Sequence, residues 1–275
     1  MTYPILDRVS YHAVYDASIL DALEYAHDNG FAGIQLAAES PHLAFEQLSE
    51  REIGEIGSFV AAQHTFVSIH APDEAASLLQ HSHHLRAGIQ NYYRALFDFA
   101  AAVGACLVTI HIGGMTTFRT DTRREMTVPE ADRPIYREVA TRNLDGLLEL
   151  AGGRFTVCVE SYALDEFSLF LLKPYFDDRR LALSWDLART WNKPALERFF
   201  FSSIDRVKQV HLHDIRTDDR GDQRSNCVIG SGEIDFAYYL NRLSDANVLD
   251  YCIEVRPREK AKESLEGLKR ALGVV

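Results

Sequence analysis

Two periodicities alternate along the chain. The segments RVSYHA, AGIQLAA, FVSIHAP, CLVTIHIGG, FTVCVES, RLALSWD, VKQVHLHD and YCIEVRP are short apolar runs of strand character. Between them lie segments with apolar residues at helical spacing: SILDALEYAHDNGF, LSEREIGEIGSFVAAQH, HHLRAGIQNYYRALFDFAAAVGA, IYREVATRNLDGLLELAGG, DEFSLFLLKPYF, PALERFFFSSI, DFAYYLNRLSDA and EKAKESLEGLKRAL. Ser18 or Asp16 can cap the first helix, and Gly30 stands near its end. Ser49 with Glu52 three residues on is a capping-box pattern for the second. LVTI, TVCV and LALSW are nearly continuous apolar runs, as expected of strands covered on both faces.

Strict alternation of strand and helix calls for parallel strands joined by right-handed crossovers. Eight units of about 30–35 residues in a 275-residue chain match a single (β/α)8 barrel domain spanning 1–275, with its active site at the C-terminal ends of the strands. The competing architecture is an open doubly wound sheet. Against it, no GxGxxG follows the first strand, and polar residues end many strands rather than gathering at one switch point.

Composition narrows the function classes. Hydrophobic residues make up 47% and charged residues 25% of the chain, the balance of an ordinary water-exposed globular protein. No apolar run approaches the roughly 18–20 residues of a membrane span, and the N-terminus lacks the basic and apolar regions of a signal peptide. Cys106, Cys158, Cys227 and Cys252 form no CxxC pair, and three of them fall inside predicted strands, which fits reduced buried thiols and a cytoplasmic location. The net charge of −11 argues against a nucleic-acid partner, since such binders cluster Lys and Arg to displace counterions. Tyr and Phe are plentiful enough for an apolar contact between copies, so a homo-oligomer stays open.

The chemistry gathers where apolar runs end. SIHAP ends at His70, TIHIGG at His111, CVESY at Glu160, SWDLART at Asp186, VHLHD at His211, and IEVRP at Glu254. In a barrel these strand ends converge on one mouth. Three crowded carboxylates repel one another, and a divalent cation neutralises them directly. Three oxygen donors and one imidazole suit Mn²⁺, Mg²⁺, Co²⁺ or Zn²⁺. His70 and His111 extend the site toward a second metal or toward substrate. Taken singly, each residue also reads as a hydrogen-bonded cap; six together on successive strands do not. His213 shares a side with His211 and reads equally as a deeper, supporting or core histidine.

The order HAP, IHIGG, VES, WDLAR, VHLHD, IGSGEIDF and IEVRP resembles the xylose isomerase-like barrel superfamily, from Arg8 to about Leu272. That group unites sugar isomerases and epimerases with zinc endonucleases that cut at abasic sites. The resemblance implies Glu160, Asp186, His211 and Glu254 as shared metal ligands, with His70 and His111 serving a further zinc in the endonuclease branch. That branch also has a His three residues after the Asp and a D-x-H before I-G-x-G. Here those positions read Arg189, Arg224 and Asn226. A guanidinium cannot ligate a cation, so the reading moves away from DNA repair.

The resulting expectation is a metal-dependent isomerase or epimerase of a small sugar, sugar acid or sugar phosphate. By analogy with superfamily epimerases, Glu160 and Glu254 would flank the substrate and move a proton through a metal-stabilised enediolate. Arg189 and Arg256 read as forks for an anionic substrate group, or equally as partners of the nearby carboxylates. The alternatives are a hydrolase or phosphodiesterase using a second ion, a sugar dehydratase on the same ligands, and a non-catalytic binding barrel. The long connection from Gly113 to Pro134, with Arg119, Arg123, Arg124 and Arg133, reads as a lid over the active face or as a solvated excursion. IGSGEIDF, with Gly230 and Gly232, reads as a sharp turn over the site.

Overall fold

Parallel pairing of consecutive strands carries the chain once around a closed circle. The computed structural model describes residues 5–114, 130–161, 164, 166–177 and 179–274. The barrel strands are β1 (Val9–Ala13), β2 (Gly33–Ala37), β3 (Phe66–His70), β4 (Leu107–Ile110), β5 (Thr156–Glu160), β6 (Ala182–Asp186), β7 (Val207–Leu212) and, after a hairpin of β8 (Asp214–Thr217) and β9 (Gln223–Cys227), β10 (Asp250–Ile253). Their spatial order is β1-β10-β7-β6-β5-β4-β3-β2, every neighbouring pair parallel. This is the (β/α)8 barrel that the alternation predicts.

The helices are α1 (Ile19–Asp28), α2 (Glu50–Gln63), α3 (His83–Ala102), α4 (Arg133–Ala151), α5 (Glu166–Asp177), α6 (Leu187–Thr190), α7 (Pro194–Ser202), α8 (Phe236–Leu243) and α9 (Arg258–Ala271). Ser18 caps α1 by accepting the Asp21 N–H at 3.1 Å. At α2 the Ser49 hydroxyl accepts the Glu52 N–H at 3.3 Å, and Glu52 accepts the Ser49 N–H at 2.8 Å, so the capping box forms as its sequence indicates.

Alternation within each strand separates two surfaces. Along β3, Val67 and Ile69 join the apolar core, while Ser68 and His70 turn to partners inside the barrel. Trp185 of β6 shows how the outer layer packs. Its ring stacks on Phe200 of α7 at 5.0 Å and meets Tyr239 of α8 edge-on at 5.9 Å, while its indole N–H reaches Thr190 at 2.7 Å. Burying an indole of about 200 Å² is worth on the order of 5 kcal/mol.

Two elements exceed the strand-helix alternation. The one-turn α6 follows Asp186, and the β8–β9 hairpin follows β7. α6 is a single turn, too short to show a helical period, and β9 of the hairpin is polar. Residues 115–129 of the connection after β4, including Arg119, Arg123 and Arg124, lie outside the described residues; Arg133 opens α4. Among the described residues no helix is long and apolar enough to cross a membrane.

Candidate functional site

The inward-facing positions are polar down much of the barrel's length. Ser10, Gln35, Ser68, Thr109, Ser184, Gln209 and Asp250 are all fully buried there, where barrels usually stack branched aliphatic side chains. Two residues further on, β1, β3, β4, β6 and β7 deliver residues of the mouth, and β10 does so four residues past Asp250. His12, His70, His111, Glu160, Asp186, His211 and Glu254 are all buried at the C-terminal strand ends.

Glu160 lies at the centre. Its Oε2 is 3.1 Å from His70 Nε2, 3.0 Å from His111 Nε2 and 3.5 Å from His211 Nδ1. Glu254 approaches the same His211 nitrogen from the other strand, Oε2 to Nδ1 at 3.6 Å. Asp186 pairs with His213, Oδ1 to Nε2 at 3.3 Å, and caps α6 by accepting the Arg189 N–H at 3.0 Å. His111 Nδ1 is 3.0 Å from Asp73, and His12 Nδ1 is 3.1 Å from Glu254 Oε1.

The charges are strongly coupled. Burial alone would raise Glu160, but positive His211, with His111 and His70 beside it, holds it well below the usual carboxylate range. Glu254 is likewise held far down against burial by His211 and His12. The same attraction overcomes burial at His211 and pushes it up to about 10, with Glu254 and Glu160 as the causes. His111 also rises to about 10 against burial, through Asp73 and Glu160. Burial dominates at His12, which falls to about 4. His213 rises against burial because Asp186 faces it.

Three sets of donor atoms lie within 4.8 Å of one another: His70, His111 and Glu160; Glu160, Asp186 and His211; Asp186, His213 and Glu254. His211 supplies the test of fit. Its Nε2 lies 3.0 Å from the Gln209 side-chain oxygen and 3.1 Å from the Gln35 side-chain nitrogen, so that side of the ring is filled by protein amides. Its buried Nδ1 has no well-formed hydrogen bond, yet points at two carboxylates. A nitrogen aimed between two anions suits a divalent cation, and the all-oxygen-plus-imidazole donor set suits Mn²⁺, Mg²⁺, Co²⁺ or Zn²⁺.

All six strand-end residues expected from the sequence therefore meet in one cluster. His213 sits at the mouth beside Asp186 rather than deeper in the barrel, and its Nδ1 accepts the Asn226 backbone N–H at 3.0 Å. The Asn226 side chain donates to the Glu254 carbonyl at 2.8 Å, so it ties the hairpin to β10. The Arg189 guanidinium lies 3.6 Å from Asp186, and Arg256 lies 2.9 Å from His12 Nδ1. Sequence reasoning missed His12, although RVSYHA ends in the same His-Ala as SIHAP. It also missed Asp73, which has no strand-end signal.

Asp214, two residues beyond β7, has a structural task. Fully buried, it accepts four backbone N–H groups, from Ile215 at 2.9 Å, Gly230 at 3.0 Å, Gly232 at 2.8 Å and Ile234 at 3.1 Å. IGSGEIDF is thus wrapped around a carboxylate. Gly232 is required there, because a Cβ would stand 2.1 Å from the Ile215 carbonyl and 2.5 Å from Asp214 Oδ1.

Comparison with known proteins agrees with this architecture. The D-psicose 3-epimerase of Clostridium cellulolyticum H10, solved with D-tagatose, superposes with a TM-score of 0.73 at 11% identity, covering 97% of this chain and 99% of that one. Endonuclease IV of Thermus thermophilus gives 0.68 at 19% identity, covering 98% and 100%. A xylose isomerase-like TIM barrel protein of Mycobacterium smegmatis in complex with magnesium gives 0.66 at 14%, covering 97% and 96%. At these identities the likeness is one of fold. No protein of curated function matches by sequence. The sequence profile described as "Xylose isomerase-like TIM barrel" matches residues 23–271. The chain belongs to the xylose isomerase-like TIM barrel family.

Proposed function

We propose that this protein is a divalent-metal-dependent isomerase or epimerase of a small sugar, sugar acid or sugar phosphate. One observation carries the reading: Glu160 and Glu254 converge from separate strands on the buried Nδ1 of His211. Glu160, Asp186, His211 and Glu254 would hold the ion. When bound, it supplies positive charge that polarises a substrate carbonyl and acidifies the neighbouring C–H.

The remaining work falls to side chains. Glu160 and Glu254 reach the site from separate strands as carboxylates, the form that can accept a proton from carbon. One takes the proton from one face of the substrate, and the other returns a proton to the same or the adjacent carbon. Arg189 and Arg256 stand at the rim, where they can engage an anionic substituent. The named epimerase among the structural neighbours supports the substrate class.

The test is a substrate screen in deuterium oxide with Mn²⁺, Mg²⁺ or Co²⁺ added. Proton transfer at carbon incorporates solvent deuterium into recovered sugar, which mass spectrometry detects. Absence of incorporation across neutral, acidic and phosphorylated ketoses would count against the proposal.

A second reading rests on His70, His111 and Glu160, which form their own cluster. A second ion there would suit a hydrolase that activates water, and endonuclease IV shares the fold. Two or more zinc equivalents with phosphodiesterase activity would favour it. A sugar dehydratase on the same ligands would show net loss of water from its substrate.

A further inference from the structure

Beneath the mouth, a buried carboxylate is connected to His211 through a single amide. Asp250 Oδ2 accepts Gln209 Nε2 at 2.7 Å and the Ser68 hydroxyl at 2.6 Å, and its Oδ1 accepts the Ser10 hydroxyl at 2.6 Å. Burial pushes the Asp250 carboxyl up while these three hydrogen bonds hold it down; ionised, it only accepts, and Gln209 then presents its NH2 to it. The Gln209 carbonyl oxygen is thereby turned the other way. There it takes the Ser184 hydroxyl at 2.9 Å, the Thr109 hydroxyl, and His211 Nε2 at 3.0 Å. Every member is fully buried. No water competes for these groups, so reversing the amide would set NH2 against N–H and oxygen against carboxylate. The Gln35 side-chain nitrogen also lies 3.1 Å from His211 Nε2, while its oxygen takes the Cys252 thiol at 3.1 Å. A thiol is a weak partner for either end of an amide, so Gln35 can turn to suit the histidine while Gln209 cannot.

From this we infer that Asp250 and Gln209 form a positioning unit that sets the metal-binding tautomer of His211. Asp250 orients the amide, the amide oxygen holds the proton on Nε2, and Nδ1 is left to face Glu160 and Glu254. Neither residue reaches the mouth itself. The inference rests on the proposal that His211 ligates a cation and adds the residues that prepare it. Groups that hold the far nitrogen of a ligating histidine typically contribute about 10- to 100-fold in metal affinity.

The experiment measures Co²⁺ affinity of the purified full chain by calorimetry, alongside the visible absorption of the bound ion. Histidine ring ¹H–¹⁵N spectra of the Zn²⁺-loaded protein report the His211 tautomer. Gln209→Leu removes the acceptor for Nε2, and Asp250→Asn lets the Gln209 amide turn over. Both should weaken Co²⁺ binding about 10- to 100-fold and alter the absorption band. In Gln209→Leu the His211 Nε2–H signal should lose the downfield shift and slow exchange that a buried oxygen acceptor gives it. Thr109→Val removes another partner of the same oxygen without touching His211, and should leave affinity within about twofold, well inside the 10- to 100-fold loss.

Wild-type affinity and a wild-type Nε2–H signal in folded Gln209→Leu or folded Asp250→Asn would overturn the positioning role while leaving the metal site intact. Equal losses in Thr109→Val would also overturn it, because general disruption of the layer would then suffice. A wild-type protein that binds no Co²⁺ would refute the metal site as well. If Gln209→Leu does not fold, the near-isosteric Asp250→Asn carries the same comparison.

Discussion

Asp214→Ala tests whether a buried carboxylate organises the chain around the mouth. The substitution strands four backbone donors at once. Gly230 and Gly232 are exposed and can turn to water, whereas Ile215 and Ile234 are buried. An unsatisfied buried N–H costs about 1–3 kcal/mol, so the two that cannot reach water give roughly 2–6 kcal/mol. That is a large fraction of the 5–15 kcal/mol typical of a whole domain, on the order of half. Urea titrations followed by far-ultraviolet circular dichroism and by tryptophan fluorescence measure the loss directly. Asp214→Asn keeps one acceptor oxygen and should fall between wild type and Asp214→Ala. The hairpin is tied to the same turn, and its Asn226 N–H holds His213 against Asp186, so metal affinity should fall with stability. A change of less than about 0.5 kcal/mol for Asp214→Ala, the size of an ordinary surface substitution, would refute the clamp.

Metal affinity should rise with pH. His211, pushed up to about 10, keeps a proton at neutral pH that the ion must displace. Calorimetry in buffers of different ionisation heat should show proton release, with apparent affinity rising about tenfold per pH unit and a proton-displacement cost near pH 7 of roughly 4 kcal/mol. In the metal-free protein the raised pKa stabilises the fold below about 6.5, and that contribution is lost as pH rises through about 10. Glu160→Gln and Glu254→Gln should each cut turnover and deuterium incorporation by about 10²- to 10⁴-fold, the usual contribution of a general acid or base. Ser49→Ala removes the α2 capping box and should cost about 1 kcal/mol in urea titration, with no change in metal affinity.

Much of the barrel was legible because its signals are local. Each strand needs a short apolar run, each helix an apolar face and a cap, and Ser49 with Glu52 states its cap within four residues. The candidate cluster was legible for a related reason. Glu160, Asp186, His211 and Glu254 each interrupt an apolar run at its end, and four such interruptions on successive barrel strands point to a shared task. The alternation inside those runs was readable too. V-S-I-H, L-S-W-D and V-H-L-H already place every second residue on a polar face, yet LALSW reads as continuously apolar when only hydrophobicity is counted.

What the chain could not state locally is who meets whom. Asp250 reaches Ser10, which is 240 residues away, and Ser68, which is 182 away. Arg256 lies on His12 across 244 residues. Such contacts exist only because the barrel closes and brings strands distant in sequence side by side. The polar hairpin of β8 and β9 has no apolar period to announce it, so the roles of Asn226 and Asp214 emerge only once it folds back over the mouth. By itself the sequence determined the elements, their order and the residues offered at the strand ends. Closure of the barrel decided their partners, because a hydrogen bond depends on distance in space rather than along the chain.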